Sequence, residues 1–262
     1  MKNDISAISN AQMKRIRSLR IKKYRDEIQC FVAEGIKCTG ELLARFVPEV
    51  LVVRDDASVL EGFPQTVRAN ERQMEQLSSL VTPTDYLAVF RIPEQAADNA
   101  FCRLPDRILV LDGVQDPGNL GTIIRTCDWM GVRRILCSRE TADCYAPKVV
   151  QATMGALARV QIAYTDLVQT LSVLQQNGYQ IIGTMLDGEN IYTSDALRAN
   201  EKTVIVMGNE GNGISSAVAR LINRRLTIPA FADSHVESLN VSIATAVILS
   251  ELRRNQQAGL CE

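Results

Sequence analysis

The sequence is poor in the residues that many enzyme chemistries require. It has one histidine, His235, so an imidazole-rich metal centre is excluded, and Ser-His-Asp or Cys-His catalysis would rest on that single ring. Neither a G-x-S-x-G turn nor a recognisable cysteine elbow accompanies it. Cys30, Cys38, Cys102, Cys127, Cys137, Cys144 and Cys261 are odd in number and scattered, with no C-x-x-C pair, which argues against a disulfide framework and against zinc. A carboxylate-only magnesium site has no motif behind it, so no metal is expected. Long apolar runs are missing too: none approaches the roughly 18 to 20 residues that span a bilayer. The first residues lead into a polar, basic stretch without the apolar segment of a signal peptide, so the expected location is the cytoplasm, with no membrane. There is no internal repeat and no low-complexity tract.

What is present is an ordinary globular composition over 262 residues, 46% hydrophobic and 23% charged, a length that favours two domains. The net charge of −1 hides an uneven distribution. Within the first 25 residues Lys2, Lys14, Arg15, Arg17, Arg20, Lys22, Lys23 and Arg25 face a single acid, Asp4. Such a cluster can neutralise phosphates without reading sequence, and it can equally be a solvated helix face or tail; composition leaves both readings open.

Patterning predicts a small α/β domain over residues 1–95, with helices at 10–20 and 35–46 and strands at 29–34, 49–54 and 87–91. Residues 96–106, inside a stretch without apolar periodicity, read as a linker. Residues 107–262 then alternate regularly. Strands are expected at 108–111, 134–137, 181–184, 204–207 and 226–228, and helices at 120–130, 149–157, 166–176, 215–221 and 242–254. Val-, Ile- and Leu-rich strands alternating with helices indicate a mostly parallel sheet covered on both faces.

A parallel sheet binds its ligand beyond the carboxyl ends of its strands, so the loops after Leu111, Met207 and Ile228 are the places to look for chemistry. Gly113, Gly118 and Gly121 lack the spacing of a dinucleotide fingerprint, and no lysine follows Gly211 or Gly213 as a P-loop requires. What remains at 208–213 is a glycine-rich loop with one carboxylate, Glu210, whose backbone could approach a flat ligand closely or simply form a tight turn. Taken singly, Asn119 reads as a helix N-cap and Arg125 as the partner of Asp128.

Together the three loops resemble the SpoU (TrmH-type) family of RNA 2′-O-ribose methyltransferases, a branch of the SPOUT superfamily. Asn119 and Arg125 fit its N-x-G-x-x-x-R motif, Gly208-Asn-Glu-Gly-Asn-Gly213 its second motif, and Ile228-Pro229 with Ser238-Leu-Asn-Val-Ser242 its third. The resemblance covers about residues 105 to 255. Ahead of it, Phe31-Val-Ala-Glu-Gly35 behind a basic stretch looks like the ribosomal-protein-like RNA-binding domain that many members carry. Two departures stand out: a longer segment from Pro229 to Ser238 holding Phe231, Asp233 and His235, and Thr82-Pro-Thr-Asp85 where Pro-Gln-Gly is usual.

The resemblance implies an α/β fold in which a parallel sheet carries a deep trefoil knot. It also implies S-adenosylmethionine as cofactor and structured RNA as substrate, ribosomal more than transfer RNA, with a homodimer paired through the knotted domain. It assigns Arg125 to the reaction, with Asn119, Glu210, Ser238 and Asn240 holding it and the loops in register. Cofactor contacts are expected at Thr184, Met185, Gly208, Asn209, Gly211, Ile228, Pro229 and Leu239. RNA contacts are expected at Lys14, Arg15, Arg17, Lys22, Lys23, Arg25 and Lys148. The proton acceptor, whether Arg125, a phosphate or water, stays open, as does a non-catalytic assembly factor that keeps the fold.

Overall fold

The computed structural model describes residues 5–94, 105–197 and 202–258, with side chains through 255. Most of the expected linker, with Lys2, Asp4, Cys102 and Cys261, lies outside the described residues. The chain divides into two compact units, Met1–Gln95 with Asp143–Arg159, and Ala96–Ala142 with Val160–Glu262. Residues Asp143–Arg159 thus belong to the first unit, whereas patterning groups all of 107–262 together.

The first unit is a four-stranded sheet in the order β1 (Cys30–Glu34), β4 (Tyr86–Arg91), β2 (Pro48–Arg54), β3 (Thr66–Ala69). Its apolar strands are buried on both faces. On one, Val32, Val50, Val52 and Val89 pack with Met13, Ile16 and Leu19 of the α1 (Asn10–Ser18) segment and with Met74 and Leu77 of α4 (Glu71–Leu77). On the other, Phe31 stacks on Phe90 at 5.7 Å and meets Phe46 and Tyr145 at 5.0 and 4.9 Å. Both α1 and α4 begin with a capping box, Ser9 with Gln12 and Asn70 with Gln73. Between α1 and β1 lies α2 (Lys22–Ile28), which patterning leaves unassigned. Its one buried residue is Arg25, so it has no apolar stripe for periodicity to find. The unit also contains α3 (Ile36–Leu42) and, from the Asp143–Arg159 segment, α6 (Pro147–Thr153). Burial pushes the thiols of Cys30 and Cys38 up to about 11, so both stay protonated at neutral pH.

The second unit is a six-stranded, fully parallel sheet in the order β10 (Arg224–Thr227), β8 (Gln180–Asn190), β9 (Thr203–Met207), β5 (Arg107–Leu111), β6 (Arg134–Cys137), β7 (Gln161–Tyr164). Its helices are α5 (Pro117–Met130), α7 (Leu167–Gln176), α8 (Ser216–Ala219) and α9 (Val241–Ala258). On one face Ile108, Val110, Val204 and Val206 pack against Leu167, Leu171 and Leu174 of α7. Helix α9 lies against α5. Among the described residues, no helix is long and apolar enough to cross a membrane.

Candidate active site

Parallel strands all end on one side, and β5 and β9 are neighbours in register, with Leu111 opposite Met207. The chain leaves β5 toward β6 and β7 on one side and reaches β9 from β8 on the other, so the loops after these strands open a crevice at a topological switch point.

In the first loop, Asp116 caps α5: its Oδ1 accepts from the Asn119 N–H at 2.8 Å, and Pro117 takes the first helical position. Asn119 is therefore not the cap, and its carboxamide is left for other partners. The second loop depends on glycine at 208, where a Cβ would lie 2.3 Å from the Gly213 carbonyl carbon and 2.4 Å from the Ile214 nitrogen. With that space free, Asn209 and Gly213 exchange backbone hydrogen bonds of 2.9 and 3.0 Å. The Asn209 Oδ1 accepts from Gly211 and Asn212 N–H at 2.8 and 3.1 Å, and its Nδ2 donates to the Gly113 carbonyl at 2.6 Å, fastening the second loop to the first. Asp112 adds a bond from the Ser215 N–H to its Oδ2 at 2.8 Å.

The third segment joins them through one chain of carboxamides. Asn240 Oδ1 accepts from the Ser242 N–H at 2.9 Å and the Ser242 hydroxyl at 2.6 Å, capping α9, while Asn240 Nδ2 donates to Asn119 Oδ1 at 3.0 Å. Asn119 Nδ2 donates in turn to Glu210 Oε1 at 2.9 Å. The direction of this chain is set from both ends, because an ionised carboxylate only accepts and the N–H groups of a helix start only donate. The two bonds of Asn119 are exposed, and each bond stabilises by only about 0.5 to 1.5 kcal/mol, but together they hold three loops in one register.

Asn119, Glu210 and Asn240 are thus brought together, whereas Arg125 and Ser238 make no side-chain hydrogen bond among the described residues. Arg125 is exposed on α5, and the Asp128 carboxylate that could have held it carries an ion pair to Arg133. Its guanidinium is therefore presented to solvent.

Of the residues expected at a cofactor, Gly208, Asn209 and Gly211 follow β9, Ile228 and Pro229 follow β10, Thr184 and Met185 lie within β8 between those two strands, and Leu239 precedes α9. Strand β8 pairs with β9 only as far as Gly183, and its register with β10 jumps from Arg225–Gly183 to Leu226–Glu189. Residues 184–188 are left without a ladder partner, so their backbone polar groups can serve a ligand. Thr184 anchors the start of this bulge, its hydroxyl donating to the Val206 carbonyl at 3.0 Å; Met185 is half-buried. At its end a Cβ on Gly188 would lie 2.5 Å from the Leu226 carbonyl carbon. Ile228 is half-buried, and Pro229 and Leu239 are exposed, as are Phe231 and His235 between them. No group of His, Cys, Asp or Glu among the described residues could hold a metal ion.

Sequence patterning misses three features of this site: the Asp116 cap, the double use of the Asn209 carboxamide, and the 184–188 bulge. Asp116 ahead of Pro117 is a legible start signal. The other two depend on partners distant in the chain.

Of the basic residues, Lys14 and Arg17 are exposed on α1, Lys22 and Lys23 on α2, and Lys148 on α6. Arg15 is tied to Glu49 at 2.7 Å. Arg25 corrects the expectation of an RNA contact. It is 3% exposed, pairs with Asp143 at 2.5 Å and donates to the Leu19 carbonyl at 2.8 Å, so it is a structural cation closed off from phosphate.

Comparison with known proteins agrees with this geometry. The family model described as the SpoU rRNA Methylase family matches residues 106–250, and the one described as an MRM3-like substrate binding domain matches residues 10–88. The chain is 29% identical to the 23S rRNA (guanosine(2553)-2′-O)-methyltransferase RlmP of Bacillus subtilis, over 95% of its length and 98% of that protein. A solved structure from Porphyromonas gingivalis, assigned to the TrmH family of RNA methyltransferases, superimposes with a TM-score of 0.86 at 42% identity, covering 95% of this chain and 99% of that one. An rRNA methyltransferase from Sinorhizobium meliloti bound to AdoMet gives 0.82 at 30% identity, covering 95% and 97%. With its three motif loops joined at the switch point of a parallel sheet, and a family match spanning more than half its length, the chain belongs to the SpoU rRNA methylase family.

Proposed function

We propose that the protein transfers the methyl group of S-adenosylmethionine to a ribose 2′-hydroxyl of ribosomal RNA. The observation that carries this reading is the Glu210–Asn119–Asn240 chain, which fixes three loops around the crevice at the end of β5 and β9. The unpaired backbone of 184–188 and the glycine-dependent turn at 208–213 suit a flat, hydrogen-bonding ligand such as an adenine ring, and the half-buried Met185 and Ile228 suit its apolar surface. When bound, the cofactor supplies a methyl group on a positively charged sulfur that is already a good leaving group. The protein is then left chiefly with alignment and with stabilising a ribose oxygen as it becomes alkoxide-like. Arg125 fits the second task. A guanidinium carries N–H donors and no acceptor, so it holds the 2′-oxygen or its phosphate and stabilises developing charge, while the hydroxyl proton passes to a phosphate oxygen or to water. Ribosomal RNA is favoured over transfer RNA by the activity in RlmP's name and by the description of the matching family.

Three further points belong to the same reading. The trefoil-knotted path of the family is inferred here, with α9 returning beside α5. Two copies pair through these helices, where Trp129 is 83% and Ile243 52% exposed; a single-chain mass in sedimentation equilibrium at micromolar concentration would contradict pairing. Location in the cytoplasm follows from the ribosomal substrate. The catalytic reading is tested by calorimetric titration with S-adenosylmethionine, followed by transfer of its labelled methyl group to ribosomal RNA. Saturable binding and label recovered in 2′-O-methylnucleosides are expected. No binding at millimolar cofactor, or label recovered in bases, would overturn it.

A further inference from the structure

In the first unit an open groove of about 1000 Å³ runs between α1 and α2. Its two walls differ in chemistry. Along α1, Asn10, Lys14 and Arg17 recur at i, i+4 and i+7 and present amide and cationic groups. Opposite them, Ile21, Tyr24 and Ile28, spaced i, i+3 and i+7, present a stripe one residue wide. Ile21 is 55% and Tyr24 38% exposed. One end is closed by Arg20, whose guanidinium donates to the Gln76 and Ser78 carbonyls at 2.9 and 2.5 Å. Arg20 is thereby held in place. Among the described residues, Arg15 is the one lining cation in an ion pair, with Glu49, and no acid lines the groove.

A flat ring and an aliphatic side chain on one wall, with unpaired cations across a gap, fit an unstacked nucleobase with its flanking phosphates. We propose that this groove binds single-stranded RNA, with a base seated against Tyr24 and Ile21 and phosphates held by Lys14, Arg17 and Arg20. The residues that line it include none of the methyl-transfer residues. It rests on the reading of RNA as substrate, and it specifies that the target presents an unpaired segment to the first unit. A partner protein's amphipathic helix fits less well, because Lys14, Arg15, Arg17 and Arg20 line the groove beside its apolar residues, a cationic lining that suits a phosphate chain better than an apolar helix face.

Fluorescence anisotropy of the full-length protein with a labelled single-stranded 12-nucleotide oligouridylate, and with a blunt RNA duplex of equal length, tests the proposal. The single strand should bind more tightly than the duplex. Tyr24→Ala should weaken single-strand binding by between about fivefold and a hundredfold, and Tyr24→Trp should restore it. The double variant Lys14→Gln, Arg17→Gln should reduce the slope of log affinity against log salt by about 1.4. Equal affinity for strand and duplex, or a Tyr24→Ala variant that binds the strand like the wild type, would overturn the groove assignment. Thermal unfolding and S-adenosylmethionine titration of each variant serve as controls. Loss of cofactor binding in the wild type would instead count against the methyltransferase reading and leave the groove result standing by itself.

Discussion

Asn119 has one carboxamide and two partners, Glu210 on one side and Asn240 on the other. Asn119→Ala removes two exposed bonds from a half-buried residue, so stability should change by less than about 1.5 kcal/mol. The loops lose their common register, and kcat should fall by about a hundredfold, the scale expected of a small misplacement at a reacting centre. Initial rates beside urea unfolding check this; an unchanged kcat would show that the chain of carboxamides is decorative. Arg125 differs because no side-chain hydrogen bond or ion pair holds it among the described residues. Arg125→Ala should reduce transfer by about a hundredfold to a thousandfold while cofactor affinity stays close to wild type, and a large loss of cofactor binding would contradict its role on the substrate. Asn119 and Arg125 are both legible in the sequence as members of a spaced motif. The partners that decide their roles are not, since Glu210 lies 91 residues from Asn119, and Asn240 lies 121 away on the other side of the fold's long connections.

At the scale of elements, glycine at 208 is the condition for the second loop. Gly208→Ala places a methyl group 2.3 Å from a backbone carbon that cannot retreat without opening the Asn209–Gly213 bridge. The variant should fold, because the change lies at a strand end, and should lose most cofactor affinity; calorimetry showing wild-type binding would remove this loop from the cofactor site. Helix α2 makes a complementary case. It is short, carries no side-chain cap, and turns a buried arginine inward, so neither periodicity nor capping announces it. Its stability depends on Asp143. Asp143→Ala leaves the Arg25 guanidinium buried without its counter-charge and should cost the first unit about 3 to 5 kcal/mol, read as an earlier transition in denaturant. The long apolar strands of both sheets, by contrast, are legible to within a residue or two at most ends, because their burial on two faces demands continuous Val, Ile and Leu. Strand β8 runs past its expected end for the opposite reason: after a bulge at 184–188, Glu189 and Asn190 resume pairing with β10, with no local pattern of their own.

At the scale of the whole chain, the division of labour follows from where the charge and the glycine lie. The first unit carries the basic helices and the second the crevice, although Asp143–Arg159, whose sequence neighbours belong to the second unit, packs in the first. That excursion is invisible to patterning, which reads 149–157 as one more helix in a regular alternation. The fold class, the parallel sheet and the three motif loops are visible from the sequence, whereas the pairing of β5 with β9 that brings two of those loops together needs the strand order. The central claim is that this fold methylates ribose in ribosomal RNA. Its most direct test is mapping of 2′-O-methyl sites across total RNA from cells with and without the gene. Loss of one ribose methyl in ribosomal RNA, restored by the wild-type gene and not by Arg125→Ala, is the expected result. A full set of ribose methyls in the deletion strain, or loss of a base methyl alone, would contradict it.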